Sequence, residues 1–235
     1  MTLMTTPRPD TAELLALAVH EFRTPVTVVA GYLRMLAREQ LGPLTDRQRA
    51  LVEEAERSCS RLSGLVAEMS DLSNLESGTA PMAQEDIDLS ALVDDVAGRV
   101  DEGRDRGVTV AREAESSPLV VTGDRKRLSG IVAAFAVAVL REQGGPGTVT
   151  LRTCRILDGG RPMAALGIGA AETARIVLED HRPEARLNET RGGLGLALPV
   201  ARRVIERLGG RTWSSAAERG LGAIAVLIPL KETRS

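Results

Sequence analysis

Residues 41–46 read Leu41-Gly42-Pro43-Leu44-Thr45-Asp46, and this short break decides the architecture of the N-terminal third of the chain. Gly42 and Pro43 mark a turn, and Thr45 or Asp46 can cap a helix that follows. Upstream, from a cap at Asp10 or Thr11 to Arg38, apolar residues recur at helical spacing: Leu14, Leu17, Ala18, Phe22, Val26, Val29, Leu33 and Leu36. Downstream, Ala55, Leu62, Leu65, Met69 and Leu72, flanked by Val52, Cys59 and Val66, form a second stripe that ends near Glu76, before Ser77-Gly78. Such spacings are those of a packed helix seam. Two helices of ~30 residues, each ~45 Å long, joined by so short a loop must lie antiparallel. A lone hairpin leaves much of its stripe in water. Pairing with a second copy as a four-helix bundle buries it, so a homodimer is expected.

Beyond the hairpin the pattern changes. Residues 78–86 read as a linker. Helix is expected at 89–100, strands at 107–112 and 118–122, an apolar helix at 125–141, and strands at 147–156 and 162–168. A Gly-rich turn at 192–195 opens a helix to Leu208, and strands close the chain at 211–215 and 222–229. Helices against a mostly antiparallel sheet make an α+β two-layer sandwich. The expected organisation is a disordered segment at 1–10, a hairpin at 11–77, a linker at 78–86 and an α+β domain at 87–231.

Composition narrows the function classes. Lys and Arg number 30 against 32 Asp and Glu, for a net charge of −2. Nucleic-acid binding needs a concentrated basic surface, so no such partner is expected; Arg125-Lys126-Arg127 reads as a solvated run. Cys59 and Cys154 are too few for a disulfide framework and match no metal-site spacing, which fits a reducing cytosol. Apolar stretches such as 131–140 fall short of the ~20 residues that span a bilayer. With Met1 as the start, the expectation is a cytoplasmic protein with no membrane anchor.

Inside the first helix stands His20-Glu21-Phe22-Arg23-Thr24-Pro25. An imidazole on an exposed helix face is a competent nucleophile at neutral pH. Glu21 beside it can accept a ring proton and orient the ring. Thr24, four residues on, shares its face. Pro25 cannot donate to the carbonyl of Glu21 and should loosen the helix there. The same residues also allow an ordinary surface histidine beside an ordinary proline kink.

The hexapeptide resembles the H-box of sensor histidine kinases of the commonest class, and it stands in the first helix of a hairpin as in that family. The resemblance runs on through Asp88-Leu89-Ser90-Ala91-Leu92-Val93, Gly123-Asp124-Arg125-Lys126-Arg127-Leu128 and Gly192-Gly193-Leu194-Gly195-Leu196-Ala197-Leu198. Gly209-Gly210 and Gly220-Leu221-Gly222 extend it to cover residues ~12–230. It implies that His20 carries a phosphoryl group destined for an aspartate of a response regulator receiver domain. It further implies that Glu21 assists phosphorylation, that Thr24 assists dephosphorylation of the regulator, and that an ATPase-type domain follows.

The departures fall on the nucleotide site. The resemblance puts two asparagines, one of them a Mg²⁺ ligand, on the helix after Arg127-Leu128; in register they are Ala134 and Ala138, which offer no side-chain oxygen. Where an adenine-binding Asp-x-Gly-x-Gly should stand, the chain reads Ala164-Ala165-Leu166-Gly167-Ile168-Gly169. No acid occurs between Asp158 and Glu172. The Phe-containing segment is Arg175-Ile176-Val177-Leu178-Glu179, and the usual Thr after the last glycine pair is Ala223. Gly193 and Gly195 remain as a weak phosphate cradle, or merely a tight turn into a helix. His181 reads as a lid or loop residue. The expectation is a dimeric phosphotransferase, a pseudokinase relaying phosphate between His20 and regulator aspartates, fed by a regulator or an upstream histidine kinase. No resident metal or cofactor is expected, with MgATP doubtful. An active ATP-dependent kinase with unusual nucleotide contacts and a non-catalytic dimeric scaffold are the alternatives.

Overall fold

A computed structural model describes residues 11–179, 186–215 and 222–231. The chain divides into two compact units, 1–80 and 81–235. The cap assigned to Asp10, the segment 1–10, His181 and Gly220-Leu221 lie outside the described residues.

The first unit is the hairpin. Helix α1 (Thr11–Ala37) and helix α2 (Asp46–Glu76) are joined by the turn around Gly42-Pro43. Thr45 caps α2 as expected: its hydroxyl accepts from the Gln48 N–H, and the Gln48 side chain accepts from the Thr45 N–H at 2.9 Å. The turn is pinned by Glu39, whose carboxylate accepts from the Leu44 N–H and pairs with Arg49. The Leu44 hydrogen bond first, and the Arg49 guanidinium second, hold that carboxyl below its ordinary range. Between the helices, the buried Cys59 thiol donates to the Val26 carbonyl.

Only part of the apolar stripe faces the other helix. Val26, Leu33, Leu36, Leu65, Val66 and Leu72 are half-buried, whereas Leu17 and Phe22 are 59% and 54% exposed and Leu14, Val29 and Leu62 are also open. The segment Glu13–Ala37 has a mean hydropathy of 1.2. Among the described residues it is the helix long and apolar enough to cross a bilayer. This corrects the expectation, drawn from uninterrupted apolar runs alone, that nothing approaches that length.

The second unit is built on a five-stranded sheet in the order β2-β4-β5-β7-β6: β2 (Val108–Ala114), β4 (Gly147–Asp158), β5 (Arg161–Gly169), β7 (Ile224–Pro229) and β6 (Arg211–Ser214). Only the β2–β4 pair is parallel. A separate ribbon pairs β1 (Glu85–Asp88) with β3 (Val120–Gly123). This ribbon corrects the linker at 78–86, because Glu85 and Asp86 already belong to a strand. A tetrapeptide with three acids, EDID, reads as solvated chain, and only pairing with β3 makes it a strand.

Helices α3 (Leu89–Ala97), α4 (Arg125–Glu142) and α6 (Ala197–Arg207) form the helical layer. On the sheet face that α3 covers, the Ser90 hydroxyl meets that of Thr153 at 3.1 Å. A further helix, α5 (Ala171–Glu179), covers the opposite face, where Val177 and Leu178 pack with Met163, Ala165, Trp213, Ala225 and Leu227. Trp213 Nε1 donates to the Val177 carbonyl at 3.2 Å. The sequence reading found no helix there: nine residues are too short for periodicity to separate from a loop.

Aspartates start two helices. Asp88 accepts from the Ser90 N–H at 3.0 Å, and Asp124 from the Arg127 N–H at 3.0 Å and the Ala83 N–H at 3.3 Å. The Arg127 hydrogen bond, above all, lowers the Asp124 pKa from its ordinary value. A depressed folded pKa contributes stability above the unfolded value that is lost as pH falls through the folded one. Replacing Asp124 with Ala should therefore cost about 1 kcal/mol at neutral pH. In urea titrations the difference from wild type should shrink as pH drops below the ordinary carboxylate range.

Candidate functional site

Two places can carry chemistry, one in each unit. On the hairpin, His20, Glu21 and Thr24 are all exposed. Thr24 lies one turn from His20 on the same helix face, so α1 brings these two together. Residues adjacent in a helix diverge around its axis, and no hydrogen bond joins His20 to Glu21 in this conformation. The expected orienting bond is therefore not present. Pro25 leaves the Glu21 carbonyl without its helical donor, yet α1 runs unbroken through it. Two residues on, the Thr27 hydroxyl donates back to the Arg23 carbonyl at 2.7 Å.

In the second unit, α4 carries both alanines of the metal positions. Ala134 is half-buried and Ala138 is fully buried. The chain segment Arg191–Gly193, a single 3-10 turn, lies directly on Ala138. A Cβ on Gly192 would come within 2.7 Å of Ala138 Cα and 3.1 Å of its carbonyl oxygen. Gly192 also has φ +64°, a left-handed conformation that side chains strain. The loop backbone at Gly192 thus packs directly on the helix backbone at position 138. Among the described residues no cluster of His, Cys, Asp or Glu could hold a metal ion. Gly193 and Gly195 are exposed with positive φ, just before α6.

The stretch 164–169 differs in structure from a nucleotide loop. It is continuous strand, with Ile168 opposite Ile224 of β7 and Leu151 of β4. Taken as the glycines of an Asp-x-Gly-x-Gly, Gly167 and Gly169 put the acid at Ala165. Ala165 faces α5, across the sheet from the face α3 and α4 share. The β5 residues on the α4 face are Ala164, Leu166 and Ile168, all fully buried and without a carboxylate. The glycines serve packing instead: a Cβ on Gly167 would fall 2.3 Å from the Ala174 carbonyl, and one on Gly169 would fall 2.8 Å from Thr173 Oγ1.

One charged residue escaped sequence reasoning. Arg191 is buried, and its guanidinium pairs both nitrogens of one edge with the Glu142 carboxylate, Nε at 2.9 Å. It also donates to the carbonyls of Ala223 and Gly222, each at 3.0 Å. No local signal could have found the pair, because its members are 49 residues apart.

Residues 11–78 match the model of the His Kinase A (phospho-acceptor) domain. The chain is 29% identical over 206 residues to the circadian input-output histidine kinase CikA of Synechococcus elongatus, covering 84% of this chain and 27% of that one. It is 28% identical over 195 residues to the sensor protein DivL of Caulobacter vibrioides, covering 81% and 24%. It therefore spans about a quarter of the length of these relatives. Among solved structures, full-length ShkA in complex with AMPPNP superposes with a TM-score of 0.72 at 25% identity, over 96% of this chain and 47% of that one. The histidine kinase AdeS of Acinetobacter baumannii shares the fold, with a TM-score of 0.58 at 20% identity, over 91% and 98%.

The packing against Ala138 can be checked by two neighbouring glycines. Gly192→Ala combines left-handed strain of ~1 kcal/mol with overpacking of ~1–3 kcal/mol. Gly193→Ala, with open space around its Cβ, carries only the strain. Denaturant unfolding should show the first variant clearly less stable than the second.

Proposed function

We propose that this chain, whose residues 11–78 match the histidine kinase phospho-acceptor domain and are followed by an α+β domain like those of histidine kinases, works as a phosphotransferase whose own ATP site is lost. His20 takes a phosphoryl group from the aspartyl phosphate of a response regulator receiver domain, or from an upstream histidine kinase, and passes it to another regulator. An unprotonated ring nitrogen attacks phosphorus while the acyl phosphate bond breaks. Glu21 then has to swing toward the ring to hold the proton on the other nitrogen. Thr24, already on the face of His20, is placed to hold a water for hydrolysis of the regulator's phosphate. The observation that supports this reading is the contrast between the sites: an exposed His20 with Thr24 one turn away, against an α4 with alanine at 134 and 138 and Gly192 packed on Ala138.

The exposed apolar stripe of α1 is assigned to a second copy of the hairpin in the cytoplasm. His20, Glu21, Arg23 and Thr24 interrupt it mid-helix, which suits a bundle that a regulator must reach and would be costly in hydrocarbon. One observation favours a second reading, an ATP-dependent autokinase: the likeness over nearly the whole chain to ShkA, whose structure contains AMPPNP. Loss of the Mg²⁺ ligands and of an adenine-binding acid weighs against it. Each missing polar contact costs ~1–3 kcal/mol, so several together weaken nucleotide tens- to thousands-fold.

Incubation with a phosphorylated receiver domain should label wild type on histidine and leave His20→Ala unlabelled, while radioactive MgATP labels neither. Equal absence of label in the first arm would sink phosphotransfer, and labelling of His20 by MgATP would establish the kinase reading. Thr24→Ala should slow loss of the regulator's phosphate while sparing transfer. In light scattering at micromolar concentration, wild type should have the mass of a dimer, and Leu17→Asp with Phe22→Asp should shift it to monomer.

A further inference from the structure

Arg191 is the buried cation of the second unit that the phosphotransfer reading leaves unused. Its side chain is 3% exposed. Four of its donor contacts are satisfied by two separate pieces of chain: Glu142 at the C-terminal end of α4, and the carbonyls of Gly222 and Ala223 at the entry to β7. Arg141, the residue before Glu142, reinforces the arrangement. Its Nη1 donates to the Gly192 carbonyl at 3.1 Å while its Nε holds Glu102 at 3.1 Å. Two adjacent residues of α4 therefore grip two adjacent residues of the loop, one by a bidentate ion pair and one through backbone. Gly192 is pressed onto Ala138 between them. The planar guanidinium suits this use: its fork matches a carboxylate on one edge and still offers donors to carbonyls on the other.

We propose that Arg191 is a built-in clamp that holds loop 191–195 shut on α4, closing the α4–loop cleft against nucleotide. The inference rests on the reading that the ATP site is lost, and adds the device that keeps it closed. Nothing in the clamp depends on a bound ligand, since both charges and both carbonyls come from the chain itself. A buried pair broken on one side leaves an uncompensated charge and destabilises strongly, whereas replacing both partners by apolar groups of similar volume is tolerated. The informative variant is thus Arg191→Met with Glu142→Met.

The experiment is amide hydrogen exchange on the full chain, combined with titration of a fluorescent ATP analogue in Mg²⁺. In the double variant, exchange in 192–196 should quicken about tenfold or more while the β5 and β7 amides keep their protection. Should the double variant fail to fold, Arg191→Lys, which keeps the charge but loses the fork, is read in the same way. Unchanged exchange in 192–196 would overturn the clamp. Wild type should show no saturable binding of the analogue. Saturable binding by wild type that leaves exchange in 192–196 slow would overturn closure. Failure of His20 to accept phosphate, with the exchange result intact, would sink the function proposed above and leave the clamp standing.

Discussion

The contact between the backbone of Gly192 and Ala138 is the constraint on which the second unit depends. A helix that keeps polar ligands toward a cleft must leave the cleft open and wet. With alanine at those positions α4 packs along most of its length, and Leu128, Ile131, Phe135, Ala138, Val139 and Leu140 are all buried. The loop before α6 can then descend until backbone meets backbone, because Gly192 has no side chain and Ala138 carries only a methyl. Closure strips water from that end of α4. It is the condition under which an arginine–glutamate pair becomes a strong local fixture instead of a solvated contact.

The hairpin shows the opposite economy. Its two helices satisfy each other along one seam and leave a second apolar face uncovered, with the exposed His20 beside it. Hydrophobic burial is non-directional, so any apolar cover would do. The polar residues set into the stripe around His20 make that face costly to bury in hydrocarbon. The chemistry of this unit therefore sits where surface is exposed, and the stability of the other sits where surface has been removed.

Much of this was legible beforehand. The turn at Gly42-Pro43 and the Thr45 cap fixed α2 to within a residue, since both act through local backbone chemistry. The five strands of the main sheet and the apolar α4 followed from patterns that tertiary packing reinforced. The ribbon strand β1 was missed because its acidic tetrapeptide has no pattern of its own and exists only through β3. Helix α5 was missed because nine residues measured against an expected Phe-containing segment hid an amphipathic turn. Within the candidate site, the alanines at 134 and 138 were visible residue by residue. The place of Ala165 was not, because strand residues alternate faces and the sequence does not say which face a helix covers.

The sequence by itself determined the hairpin, the hexapeptide at 20–25 set in its first helix and the absence of side-chain oxygens at 134 and 138 on α4, since each is written in contiguous residues whose spacing fixes their geometry. Only the tertiary structure decided that Gly167 and Gly169 serve close packing under α5 and that Arg191 finds Glu142. These outcomes turn on which surfaces meet across tens of residues of chain. A guanidinium in a polar stretch reads as solvated until the fold removes the water around it.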